Sequence, residues 1–429
     1  MKEFNNKTME EVNRLIEIGK NYSDNVLSDS LLTDVLKSIN NDSETIRNVK
    51  EYLTSNGIKI VPNLSDIEET DDTEAEDNDI QPYDPSLIDI SPKSQSLDNL
   101  LSRLENDEIE LMPDFQRKSG LWEPKQKSQL IESLILRIPL PAFYFDGTDR
   151  NKWIVIDGLQ RLTALKEFFV EKKLKLTGLE FLKDLDGLSY NEIPKIYIRR
   201  MKETQVICYI INPGAPVNLK YNIFKRINTG GLHLEPQEIR HALYQGFATS
   251  YLKKLSDNDT FKRTTGYSIS TERMLDREFV LRFIAFYELG VDKYDGKIDD
   301  YLNTAMALIN KKYSININYA CCVENKFLSA LKVSEKLFGK YAFRRMPDKV
   351  KRRTISKALF ETWTSILAKQ NDDNLKKLIE NRYYLEKKYM PMFTEDEDFY
   401  NSIGSGKISS VKKRFEKIEA LIAEVIGNA

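Results

Sequence analysis

The 429-residue sequence holds only three cysteines and two histidines. Cys208 stands alone and Cys321 adjoins Cys322, so neither a disulfide framework nor the paired spacing of a zinc site can be built. All three are expected to be buried as small apolar side chains. His233 and His241 are too few for a metal hydrolase that needs several imidazoles. No apolar run reaches the roughly eighteen residues of a membrane span, and Met1-Lys2-Glu3-Phe4-Asn5-Asn6-Lys7 lacks the core of a secretory signal. The cytoplasm is the expected address, with no membrane partner.

Positive charge is scarce at the start of the chain. Residues 1–90 hold 8 basic and 21 acidic residues, a net of −13, which leaves 56 basic against 45 acidic in the remainder. Between Asp66 and Asp79 there is no Lys or Arg, the composition of a solvated linker. An acidic head and a basic body attract each other, or the body attracts a polyanion. Because screening acts over about 8 Å, the head must dock to compete with DNA. The expectation is that residues 1–80 act as an internal polyanion mimic.

What is present suffices for a core, with 41% hydrophobic and 10% aromatic residues. The fold class expected is α+β, predominantly α. Leu15, Ile16 and Ile18, then Leu31, Leu32, Val35 and Leu36, then Val49, Tyr52 and Leu53 mark three helical faces within a small domain over 1–63. It closes on Asn56-Gly57 and the apolar Ile58-Lys59-Ile60-Val61. A linker follows over 64–90. The mixed region over 91–250 predicts a helix at Leu97 to Leu104, a loop at Met112 to Trp122, and a helix from Pro124 to about Arg137. It continues with strands at Ala142 to Asp146 and Lys152 to Asp157 joined across Gly147, a helix at Gln160 to Val170, and strand material in Ile196 to Ile211. Residues 251–429 predict a helical domain, with apolar i, i+3, i+4 spacing in Leu275 to Leu289, Phe327 to Phe338, Ile355 to Leu367 and Val411 to Ile426. The basic runs Lys349-Val350-Lys351-Arg352-Arg353 and Lys412-Lys413-Arg414 read first as solvated helix faces, and second as contacts to a phosphate backbone.

Three segments place Arg, Gln, Asn and Gly at structural junctions. They are Met112-Pro113-Asp114-Phe115-Gln116-Arg117, the strand and turn ending in Asp157-Gly158-Leu159-Gln160-Arg161, and Phe224-Lys225-Arg226-Ile227-Asn228-Thr229-Gly230-Gly231 with Gln237, Glu238 and Arg240 beyond it. A helix N-terminus leaves N–H groups unpaired beside a partial positive charge, which suits phosphate. Gly158 permits a sharp turn, Gln160 donates or accepts, and Arg161 offers a planar fork matched to phosphate. Asp157 can hold a metal ion, orient a water or anchor Arg161. Each segment also has a plain structural reading: a turn, a helix-start ion pair, or a helix end followed by a Pro-initiated helix.

Taken together, the three segments and their spacing resemble the GmrSD restriction-system N-terminal domain family, over roughly Ser91 to His241 and faintly beyond, through Met274-Leu275-Asp276-Arg277-Glu278 and Asp396 to Arg414. The resemblance implies a ParB- and sulfiredoxin-like central domain with a small mixed sheet that binds and hydrolyses a nucleoside triphosphate, with Mg2+ as the accompanying ion. It implies catalytic roles for Asp157, Gln160 and Arg161, with Asp157 as the metal ligand. Phosphate and nucleotide contacts fall on Gln116, Arg117, Gly158, Arg226, Asn228, Gly230, Gly231, Gln237, Glu238 and Arg240. The family's Asp-Gly-Gln-Gln-Arg stands here with Leu159 in place of its first glutamine, which removes one amide contact. Sulfiredoxin chemistry lacks its loop cysteine, and the histidine-centred nuclease of many members has no histidine after His241. The implied setting is prokaryotic anti-phage defence with DNA as partner; the alternative is a non-catalytic DNA- or RNA-polymerase-binding protein that uses the pocket to hold phosphate. The N-terminal unit, ending in Gly57-Ile58-Lys59-Ile60-Val61-Pro62 before an acidic run, resembles region 1.1 of primary bacterial sigma factors, which implies RNA polymerase as a partner. A generic three-helix adaptor fits the same pattern.

Overall fold

The computed structural model describes residues 6–20, 26–28, 32, 36, 43–61, 90–111, 122–149, 151–214, 216–227, 234–349 and 352–427. It divides into two compact units, Met1–Asp79 together with Gly246–Ala429, and Ile80–Gln245. The chain is predominantly helical with one small mixed sheet of five strands, so the α+β class is as expected. No helix among the described residues is long and apolar enough to cross a membrane.

The first unit begins with α1 (Asn6–Lys20), β1 (Val26–Ser28), α2 (Ser43–Ser55) and β2 (Lys59–Val61). β1 and β2 pair in parallel, Leu27 opposite Ile60. Val12 and Leu15 from α1, Val49 and Leu53 from α2, and Leu27, Leu32, Leu36 and Ile58 close a separate small core. Of the second apolar face, Leu31 and Val35 lie outside the described residues. The Asn56-Gly57 turn is realised, with Gly57 at φ +80 and the Ile58 N–H bonded to Leu53 O at 3.0 Å.

The second unit runs β3 (Ile90–Ser96), α3 (Leu97–Glu105), β4 (Ile109–Glu110), α4 (Pro124–Ile135), β5 (Phe143–Asp146), β6 (Trp153–Asp157), α5 (Leu159–Leu165) extended by a π turn (Lys166–Val170), α6 (Lys195–Glu203), β7 (Gln205–Ile211), α7 (Val217–Ile227) and α8 (Pro236–Leu243). The strand order is β3-β7-β5-β6-β4, with β3/β7 and β5/β6 antiparallel and β5/β7 and β4/β6 parallel. Alternate strand residues face opposite sides. Phe143, Phe145, Trp153, Val155, Val206, Cys208 and Ile210 enter the main core with the apolar stripes of α3, α4 and α5. Ile156 and Ile211 face the other way, against Tyr221 and Phe224 of α7 and Ile239 of α8.

Local signals account for most boundaries. Ser96 caps α3 by accepting from the Asn99 N–H, and Glu123 with Gln126 forms a capping box in front of Pro124 at the start of α4. The expected β5/β6 hairpin pairing is present. The strand material expected within Ile196 to Ile211 is Gln205–Ile211, and Lys195–Glu203 ahead of it is a helix that the sequence pattern did not announce. Its β-branched and aromatic Ile196, Tyr197 and Ile198 mimic a strand, but Met201 is buried and Arg200 Nη1 bonds to Ile135 O at 3.4 Å, so packing on α4 fixes the helical state.

The remainder of the first unit is α9 (Phe247–Ser256), α10 (Asp259–Thr264), α11 (Leu275–Glu288), α12 (Ile298–Leu308), α13 (Ile317–Phe338), α14 (Lys357–Lys369), α15 (Asp372–Glu380), α16 (Arg382–Tyr389), α17 (Glu397–Ile403) and α18 (Ile408–Gly427). Two readings of this region are corrected. Cys208 is buried, but Cys321 and Cys322 are exposed: they follow Ala320 and precede Val323, both buried, and a rotation of roughly 100° per residue carries them to the solvent side of α13. Nor is Lys412-Lys413-Arg414 wholly solvated. Arg414 is buried and bonds Glu361, which also accepts from Arg282 Nη1 at 2.9 Å, while Arg282 Nε and Lys357 Nζ meet Glu278 Oε1 at 3.0 and 3.1 Å. Arg352 is buried as well, its Nε bonded to Lys340 O at 3.2 Å.

Candidate functional site

β6 turns into α5 through a single residue. Gly158 has φ +98, and a Cβ there would lie 2.6 Å from Phe143 Cδ1, so both the backbone conformation and the neighbouring ring demand glycine. The first intrahelical bond runs from the Leu162 N–H to Gly158 O at 2.8 Å. The N–H groups of Leu159, Gln160 and Arg161 therefore precede the helical ladder at its positive end. A β-bulge sits just before the turn: Phe145 pairs with Val155 and Tyr144 with Asp157, leaving Ile156 without a partner on β5. Bulges re-aim side chains, and this one brings Asp157 opposite Tyr144.

Arg161 is committed within this turn. Its Nη2 donates to Asp157 Oδ2 at 2.7 Å and to Ala142 O at 3.2 Å, its Nη1 donates to Pro141 O, and its Cζ lies 4.7 Å from the centre of the Phe143 ring. Burial pulls the guanidinium pKa below its ordinary value, against the opposing charge of Asp157. Asp157 is 27% exposed, and its second oxygen, Oδ1, carries no hydrogen bond among the described residues. Gln160 reaches back to the start of α4, its Oε1 accepting from the Trp122 N–H at 3.2 Å. Leu159 packs against the main core. Asp157, Gly158, Gln160 and Arg161 thus come together, with Arg161 acting as a brace.

Gln237, Glu238 and Arg240 also come together, as buried residues of α8. Glu238 Oε2 accepts from the Glu235 N–H at 2.8 Å in a capping box, and Arg240 Nη1 donates to Gln237 Oε1 at 3.2 Å while its Cζ stands 5.4 Å from the centre of the Tyr221 ring. This arrangement binds α8 to α7. Arg226 is exposed in the last turn of α7, the helix whose Phe224 shares a cluster with Ile156. Gln116, Arg117, Asn228, Gly230 and Gly231 lie outside the described residues, as does the predicted loop from Met112 to Trp122 apart from Trp122 itself.

Two groups went unnoticed in the sequence. Tyr144 stacks on Tyr209 at 4.9 Å between centroids, and burial, together with the nearby Tyr209 and Asp157, raises its phenol pKa. Lys220 of α7 is buried on Asp146 at the end of β5, with Nζ to Oδ2 at 2.9 Å and to Oδ1 at 3.1 Å, and Thr148 bonds both. Asp146-Gly147-Thr148 carried a turn signal, but nothing in the sequence tied it to a lysine so far along the chain. Among the described residues no three His, Cys, Asp or Glu side chains gather as a metal cage.

A mixed sheet that feeds a braced glycine turn and a helix start is an architecture suited to holding an anion at a strand end. Residues 97–245, about a third of the chain, match the family model described as GmrSD restriction endonuclease, N-terminal domain. The matched segment begins on the first residue of α3 and ends where the second unit ends. It is similar to the N-terminal domain of a restriction-system protein. No curated protein and no solved structure matches the sequence.

Proposed function

We propose that the second unit binds and hydrolyses a nucleoside triphosphate, with Mg2+, as part of a restriction-type anti-phage system that acts with DNA. The observation that supports this reading best is the β6–α5 turn. It offers N–H groups of a helix start beside a carboxylate with one oxygen unbonded among the described residues, while the arginine needed to hold that carboxylate is already in place. Phosphate oxygens would meet the N–H groups of Leu159, Gln160 and Arg161, and Asp157 Oδ1 would hold Mg2+ or orient the attacking water. A single carboxylate fits that ion, because Mg2+ in nucleotide sites takes its remaining ligands from phosphate oxygens and waters. Mg2+ supplies charge neutralisation on the phosphates. Arg161 serves by fixing Asp157, and Gln160 by fixing the approach to α4. Gln116, Arg117, Arg226, Asn228, Gly230 and Gly231 supply the other phosphate contacts in this reading, with Gln237, Glu238 and Arg240 bracing the wall behind them.

A second reading, a non-catalytic phosphate-holding protein of DNA or RNA polymerase, is favoured by one observation: Leu159 is spent on core packing where the family places an amide. Phosphate release from each ribonucleoside triphosphate, with and without DNA, for the wild type and Asp157→Ala, separates the two. Turnover that Asp157→Ala abolishes supports hydrolysis. Triphosphate binding without turnover under any condition supports the second reading.

A further inference from the structure

Among the described residues, an arginine of the N-terminal helices reaches the C-terminal ones. Arg14 lies on α1, between Val12 and Leu15 of the small core. Its Nη2 donates to the Tyr267 hydroxyl at 2.9 Å and to Asp259 Oδ1 at 3.0 Å, and Glu11 Oε2 stands 3.5 Å from its Nη1. The bond to Tyr267 and the charges around it hold the guanidinium above its usual pKa, against partial burial. The Tyr267 ring packs against the same small core.

Tyr267 reaches that position through a strained helix end. α10 closes with the Tyr267 N–H on Lys262 O at 2.8 Å and the Gly266 N–H on Arg263 O at 2.9 Å, and both Gly266 (φ +67) and Tyr267 (φ +56) are left-handed. Glycine takes that conformation freely; a tyrosine does so only when its surroundings hold it there. The polarity is the reverse of what the charge totals suggest, since the acidic head supplies the cation and the body supplies the carboxylate. The pair is also open to salt, with 41% of the Arg14 side chain and 75% of that of Asp259 exposed.

We propose that Arg14, Tyr267 and Asp259 form a releasable latch that seats residues 6–61 on the C-terminal helices. Opening it lets Tyr267 leave the left-handed conformation. The test uses the full chain with a site-specific protease sequence inserted after Asp79, nicked and then run on gel filtration at about 50 mM and about 0.5 M salt. The wild-type N-terminal fragment is expected to co-elute at low salt and separate at high salt. Arg14→Glu separates at both, Arg14→Glu with Asp259→Arg restores low-salt co-elution, and Tyr267→Phe, which keeps the ring, lowers retention roughly fivefold. Separation of the wild type at low salt, its retention at high salt, or unchanged retention of Arg14→Glu would each overturn the latch.

Discussion

Asp157 and Arg161 were legible as a pair in the sequence, four residues apart across a helix start, and the 2.7 Å bond between them is the simplest outcome of that spacing. What the sequence did not disclose is that the Pro141 and Ala142 carbonyls also accept from the guanidinium, because those acceptors are backbone atoms of a distant segment. Arg161→Ala leaves a partly buried carboxylate without its partner and is expected to cost about 1–3 kcal/mol in chemical denaturation, discounted for the solvent that reaches Asp157. Arg161→Lys recovers only part of this, since an ammonium cannot span the carboxylate and both carbonyls. Gly158→Ala is expected to lose at least about 2 kcal/mol, from the left-handed backbone and the Phe143 ring 2.6 Å from the new methyl. A loss under about 0.5 kcal/mol would mean that the turn relaxes freely and is not pre-organised.

At the scale of elements, apolar periodicity and capping chemistry located α3, α4, the β5/β6 hairpin and the long C-terminal helices. They did not reveal α6, where three consecutive strand-favouring residues are overruled by packing ahead of the expected strand, or the paths between helices. Residues 177–182 follow such a path. The Thr177 N–H bonds Ser128 Oγ at 2.9 Å, and the N–H groups of Glu180, Phe181 and Leu182 converge on the buried Glu132 carboxylate of α4 at 3.0, 2.8 and 2.7 Å. Burial pushes that carboxyl up, but the N–H bonds outweigh it and hold the group below its ordinary value. A carboxylate with a depressed folded pKa contributes stability above its unfolded pKa, and that contribution is lost as pH falls through the folded value. Denaturation midpoints of wild type and Glu132→Gln should therefore differ most near neutrality and converge only once the pH has fallen through the depressed folded value of Glu132. A constant difference across that range would show that Glu132 is not charged in the folded chain.

For the whole molecule, composition predicted two regions of opposite charge but not how the chain divides. The acidic head belongs to the same compact unit as the C-terminal helices, and the second unit lies between them in sequence. Charge totals describe attraction at a distance; the contact itself is set by single groups such as Arg14. Some charges of the C-terminal helices, unlike Arg14, are buried and paired, as in Arg282, Glu361 and Arg414, so a net positive body overstates the charge left for a polyanion. The similarity to a restriction-system domain covers residues 97–245 and carries the phosphate reading no further than that segment.

Hydrogen–deuterium exchange on the full chain, with and without Mg2+ and a slowly hydrolysed triphosphate, tests the proposed site most directly. The account predicts slowed exchange at the amides of residues 158–162, absent in Asp157→Ala. Nucleotide binding that protects other segments while leaving those amides unchanged would contradict it.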